Sequence, residues 1–109
     1  MYVVLFRWKL DESRVKEFKE GWSEIIRFNI DMCGALGSRL HKSADGSWVS
    51  YSQWPSRGHW LRSKEVENQV KDARAKMRKA ILWQDEPLLM SPHVDHVIAT
   101  NPEAKASIL

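Results

Sequence analysis

The sequence contains a single cysteine, Cys33, among 109 residues. One thiol excludes an internal disulfide framework. No apolar run approaches the ~20 residues that a helix needs to cross a bilayer, so no membrane partner is expected. There is no glycine-rich phosphate loop and no ribonucleoprotein-type aromatic motif. The basic run from Lys71 to Lys79 therefore reads as the solvated face of an amphipathic helix, not as a nucleic-acid site. Charge of one sign is scarce too. A net charge of +3 serves solubility and does not call for a nucleic-acid partner. The first residues, Met1-Tyr2-Val3-Val4-Leu5-Phe6, lack a basic n-region and a small-residue cleavage site, so they do not read as a signal peptide. A reduced, cytoplasmic setting is the expectation. Internal repeats, low-complexity stretches and domain linkers are missing as well. The length allows one domain with one core, and a chain this small gains from burying a face against a second copy.

What the chain has in excess is tryptophan, six in all. Residues 2–10 alternate as a strand. Tyr2, Val4, Phe6, Trp8 and Leu10 share one face; Val3, Leu5, Arg7 and Lys9 share the other. Residues 12–33 read as a helix capped by Asp11 or Ser13. Its apolar stripe runs through Val15, Phe18, Trp22, Ile25, Ile26, Met32 and Cys33, and Gly34 suits the left-handed position that ends it. Asn29 falls inside that stripe. Residues 36–43 and 47–54 form a hairpin about Asp45-Gly46. Its second arm places Trp48, Ser50, Ser52 and Trp54 on one face and Val49, Tyr51 and Gln53 on the other.

After Pro55, Ser56 caps a short helical turn through Leu61. Ser63 caps a longer helix to about Leu82, with Val66, Val70, Ala73, Met77 and Ile81 as its apolar stripe. Residues 88–99 read as a last strand, an edge strand because it contains Pro92. The order is β-α-β-β-α-β. This is an α+β ferredoxin-like layout with a four-stranded antiparallel sheet, the first and third strands central. The domain is 1–99, and 100–109 is a C-terminal tail. Two helices cover only one face of such a sheet, yet the central strands are apolar on both. A homodimer, closed as a dimeric α+β barrel, is the simplest way to bury the second face.

Three stretches carry a resemblance: Gly37-Ser38-Arg39-Leu40-His41, Asp45-Gly46-Ser47-Trp48, and Ser52-Gln53-Trp54-Pro55-Ser56-Arg57-Gly58-His59-Trp60. The chain resembles the antibiotic biosynthesis monooxygenase family over about residues 1–99. In that family a glycine opens the second strand, an acidic-Gly hairpin follows, and a Trp-x-Ser-like step leads into a helix bearing another Trp. The resemblance implies a cofactor-independent monooxygenase of a small aromatic or electron-rich molecule, an oxidoreductase with no cofactor. It places Trp60 on a ligand pocket between sheet and helices. The haem-degrading relatives use an asparagine on the first strand and a histidine on the second helix. Residues 2–10 hold no asparagine and residues 64–83 no histidine. The polyketide oxygenases carry an asparagine shortly before the tryptophan, where this chain reads Ser56-Arg57-Gly58-His59.

The candidate catalytic residues are His59, Asn29 and Tyr51. His59 suits general acid or base work near neutral pH. Asn29 in an apolar stripe must meet a backbone group or face a polar cavity. The candidate binding residues are Trp60, Trp22, Arg39 and Arg7. A guanidinium is a fixed fork of donors for an acidic or phenolic ligand. Plainer roles stand against them: Trp60 as core, His59 facing solvent, Asn29 as a satisfied amide, the arginines interfacial or exposed. No metal is expected. In a strand, His93 and His96 point to opposite faces and cannot share an ion, although Asp95 can hydrogen-bond His93. Cys33 reads as an inert small hydrophobe. The alternative function is a dimeric module without catalysis, binding a small apolar ligand or serving a stress or regulatory role.

Overall fold

The computed structural model describes residues 1–98. Strand β1 is Tyr2–Leu10. A 3-10 turn, Glu12–Arg14, leads into helix α1, Val15–Cys33. Strands β2 (Gly37–Lys42) and β3 (Trp48–Trp54) follow. Helix α2 is Arg57–Glu65. A second 3-10 turn, Glu67–Val70, leads into α3, Lys71–Ala80. Strands β4 (Ile81–Gln84) and β5 (Leu88–Met90) complete the order.

The alternation of β1 sets the layering. It pairs antiparallel with β3 from Tyr2↔Trp54 to Trp8↔Trp48. β2 pairs on the other edge of β3, and β4 and β5 share the remaining edge of β1. The order β2-β3-β1-β4 is the ferredoxin-like one. The even-numbered residues of β1 meet the helices. Trp8 and Leu10 pack with Phe18, Trp48 and Ala80, and Val4 packs with Trp54 and Trp60. Ile25, Val70 and Ala73 join α1 to α3.

Local signals close the elements. Asp11 accepts a hydrogen bond from the Ser13 amide at 3.0 Å. Gly34 takes the left-handed conformation that ends α1, with φ 75°. At the hairpin tip, Asp45 Oδ1 accepts from the Ser47 hydroxyl at 2.6 Å and the Ser47 amide at 2.9 Å. Those bonds hold the Asp45 carboxyl down at about 2.

Three expectations are corrected. The last strand is not one piece over 88–99. It is β4 and β5, interrupted at Asp85-Glu86-Pro87, with the Asp85 amide still donating to the Arg7 carbonyl at 3.0 Å. Pro92 lies beyond both pieces, and residues 99 and 100–109, the expected strand end and tail, lie outside the described residues. Ser63 does not start a helix. It lies inside α2, where its hydroxyl donates to the Trp60 carbonyl, and the long second helix breaks at Glu67–Val70. Met32 is exposed rather than buried, because neighbouring helical positions point about 100° apart and it is Cys33 that turns to the layer, against Trp54 and Trp60.

The crossing of α1 over α3 depends on Gly21. A Cβ at that position would sit 2.5 Å from the Ala73 carbonyl oxygen. Overpacking of this kind costs about 1–3 kcal/mol, and the better helix propensity of alanine returns up to about 1 kcal/mol. Gly21→Ala is therefore expected to lower stability by about 1–2 kcal/mol in urea unfolding. A stabilised variant would mean that the two helices are not held this close.

Candidate functional site

The inner face of β3 reads Trp48, Ser50, Ser52, Trp54, all buried. Two large side chains flank two small ones, and the gap above the serines is not filled. It forms a cavity of ≈ 350 Å³ between sheet and helices. Val4, Phe6 and Trp8 of β1 continue the floor. α1 contributes Trp22, Ile25, Ile26 and Asn29, one helical face at the i, i+3, i+4, i+7 spacing, and Trp60 of α2 forms another wall.

The polar groups around this aromatic room are few and specific. Trp22 Nε1 donates to Ser50 Oγ at 3.0 Å. The Ser38 and Ser52 hydroxyls share a hydrogen bond at 2.6 Å. The Trp60 ring lies against Tyr2, with centroids 5.9 Å apart, and Lys64 Nζ sits 4.4 Å from the centre of the Trp60 ring. Lys64, Arg74 and Arg78 line the cavity with one carboxylate, Glu67. Arg74 pairs with Glu67 at 3.2 Å, while its Nε is buried without a partner. The lining is thus net cationic, and the unpartnered Nε is sealed inside the protein rather than turned to the cavity.

No protein-family profile matches the sequence, and no curated protein matches it. Solved structures do. SnoaB of Streptomyces nogalater, a cofactor-independent oxygenase, superposes with a TM-score of 0.72 at 14% identity, over 87% of this chain and 95% of that one. The ActVA-Orf6 monooxygenase of Streptomyces coelicolor, solved with nanaomycin D, gives 0.71 at 16% identity, over 90% and 92%. Rv0793 of Mycobacterium tuberculosis gives 0.71 at 15%, over 88% and 98%. The chain has the fold of the antibiotic biosynthesis monooxygenases.

Within this fold the sequence candidates separate into three places. Trp60, Trp22 and Asn29 line the cavity. The Asn29 side chain makes no hydrogen bond among the described residues, while its backbone carbonyl receives the amides that close α1. Tyr51 does not join them. The two-residue period of β3 puts it opposite Ser50 and Ser52, across from Leu5 and Arg39 on the outer face. There Tyr51 and Arg39 line a separate groove with His41 and Gln53.

Arg7 is on that outer face as well. Its Nε donates to Asp85 at 3.0 Å, it pairs with Asp45 at 3.5 Å, and it lies 5.1 Å from the Trp83 ring centre. These bonds tie the hairpin tip to the β4–β5 joint, so Arg7 is committed to structure. His59 lines neither space. Its Nδ1 is 2.7 Å from Ser56 Oγ, and its ring abuts Gly34 at the end of α1.

Cys33 packs beside Trp54 and Trp60, and burial pushes its thiol up. His93 and His96 are in irregular chain, not a strand, and Asp95 accepts from the Val97 amide at 2.8 Å instead of meeting His93. Among the described residues no group of three or more His, Cys, Asp or Glu gathers as a metal site, and no helix is long and apolar enough to cross a membrane.

Sequence reasoning missed Ser50, Ser52 and Arg74. The Trp-x-Ser-x-Ser-x-Trp spacing was the available signal for the serines. Arg74 had none, because it sits in a basic run that looks solvated throughout.

Arg74 carries a stability consequence. A buried donor without a partner costs about 1–3 kcal/mol, and a half-exposed pair such as Arg74–Glu67 returns about 0–1 kcal/mol. Arg74→Met keeps the aliphatic stem and removes the orphan. It is expected to leave the melting temperature unchanged or raise it. A clear loss of stability would make Arg74 a structural residue.

Proposed function

We propose that this chain is a cofactor-independent monooxygenase acting on a small aromatic molecule that ionises to a phenolate or enolate. The observation that carries the reading is an aromatic-walled cavity whose lining holds three cations, Lys64, Arg74 and Arg78, against one carboxylate, Glu67. An anionic, electron-rich ring suits such a lining. SnoaB and ActVA-Orf6, whose fold the chain shares, are an oxygenase and a monooxygenase, which supports the same reaction class.

The chemistry asks little of the protein. Loss of a proton to water from an activated C–H next to the ring gives a carbanion delocalised onto oxygen. Arg74 stabilises that anion, replacing Arg39 and Arg7 in this role because neither of those two lines the cavity. A nearby cation lowers the cost of ionising the substrate. The carbanion's electron pair then reduces dioxygen, a C–O bond forms, and protonation leaves a hydroperoxide. Loss of the second C–H proton breaks the O–O bond, releasing water and leaving a carbonyl. Trp22 and Trp60 hold the ring in place. His59 has no part, since no imidazole lines the cavity.

Oxygen uptake over a panel of polycyclic phenols and anthrones tests this. At least one should be consumed with formation of one carbonyl per dioxygen, and Arg74→Met should lower kcat/KM by about a hundredfold. Tight binding of such aromatics with no uptake would favour the non-catalytic module instead.

The second part of the proposal is the homodimer. All three helices cover one sheet face. On the other, Val3 is buried within the chain, but Leu5, Val49, Tyr51, Trp83, Leu88 and Met90 are half-buried or exposed. A second copy against this face would cover them. Leu88→Asp is expected to keep the fold and shift sedimentation equilibrium from dimer to monomer. A wild-type chain that sediments as a monomer at micromolar concentration would remove the dimer.

A further inference from the structure

Ser50 is only 2% exposed, yet it lines the cavity floor midway between Trp48 and Trp54. A serine hydroxyl offers one proton and two lone pairs, whereas an indole N–H can only donate. The 3.0 Å contact from Trp22 Nε1 therefore fixes Ser50 Oγ as the acceptor. The Ser50 proton is not used in that bond. Trp22 is the only side-chain hydrogen-bond partner of Ser50 among the described residues. β3 is paired on both edges, with Ser50 opposite Phe6 and Leu40, so the neighbouring backbone groups are already engaged in ladders. A buried hydroxyl whose proton has no side-chain acceptor among the described residues, set in the lining of a cavity, is suited to a ligand oxygen. The bond it accepts also polarises its O–H and makes it a better donor. Ser52 does not carry the same argument. Its partner Ser38 is itself a hydroxyl, and either of the two can donate.

We propose that Ser50 is the donor that binds the ligand's oxygen, a ring ketone, quinone or phenolate oxygen directed at the cavity floor. The ring then lies among Trp22, Trp54 and Trp60, and any further anionic group faces Arg74. This names a substrate feature for the site described above and rests on the reading that the site takes an oxygenated aromatic. Trp22 thereby gains a second task, since its N–H orients the serine.

Two probes that differ only in ring oxygens test the proposal in the full chain: anthraquinone-2-sulfonate and anthracene-2-sulfonate, titrated calorimetrically. Both carry the same anion. The wild type is expected to prefer the quinone by about tenfold, the worth of one well-made buried hydrogen bond. Ser50→Ala should abolish that preference while binding anthracene-2-sulfonate within about twofold of the wild type. In infrared difference spectra the carbonyl band of the bound quinone should rise in frequency in Ser50→Ala, a change that a merely structural serine would not produce. A preference retained in Ser50→Ala, an unmoved carbonyl band, or a wild type that shows no preference or binds neither probe overturns the proposal. The titrations involve no turnover. A preference lost in Ser50→Ala thus supports the donor even in a chain that consumes no oxygen. Oxygen uptake at an unchanged rate in Ser50→Ala removes the donor and leaves the monooxygenase reading standing.

Discussion

The architecture depends on the alternation of large and small side chains along the inner face of β3. Trp48 and Trp54 are buried pillars, and Ser50 and Ser52 lie between them. Protein interiors otherwise close on themselves at crystal-like density. Here closure is prevented because the helices rest on the tryptophans and cannot descend to the serines. Apolar side chains lining such a gap forgo part of their burial and packing. The polar lining resolves the conflict. Ser50, Ser52, Asn29 and Arg74 offer hydrogen bonds to water or ligand, so the space is suited to being occupied.

The two faces of the sheet use charge in opposite ways. On the outer face Arg7 is neutralised by Asp45 and Asp85 and covered in part by Trp83. Its charge is spent on joining the hairpin tip to the edge strands. On the inner face Lys64, Arg74 and Arg78 meet a single carboxylate. Half-exposed ion pairs contribute little to stability, so the excess of cations over the cavity has no evident structural return. A guanidinium with a buried, unpaired Nε is a local cost, and costs of that kind gather at functional sites.

Much of the fold was legible in residue spacing. The two-residue period of β1 and β3, the stripe of α1, the Asp45-Gly46 turn and the Gly34 stop are local signals, and each sits where its local chemistry dictates. The edge strand was not legible. Ile81-Leu82-Trp83-Gln84 continues an apolar helical stripe through Ile81, and nothing local marks the change of period at Ala80. Of the segment read as a strand around Pro92, only Leu88–Met90 pairs among the described residues. In the site, Trp22 and Asn29 were readable because they share a helical face. Tyr51 was misplaced against its own alternation, which already set it apart from Ser50 and Ser52. Arg74 depends on how the break at Glu67–Val70 turns α3 over the cavity, which is a tertiary outcome that spacing does not encode.

The departure from the oxygenase pattern before Trp60 takes on meaning in this geometry. Where the resembling oxygenases carry an asparagine, this chain has Ser56-Arg57-Gly58-His59, and Ser56 with His59 is occupied in capping α2. The start of that helix therefore sends no polar group into the cavity. The donors reach it from other elements: a hydroxyl on the sheet floor, an amide on α1, and a guanidinium on α3. A group on a central strand, paired on both edges, is held more rigidly than one at a helix start. Its hydroxyl is oriented further by an indole that can only donate. On the proposed reading the donor for a ligand oxygen therefore stands on the sheet, which the absence of an asparagine before Trp60 does not reveal.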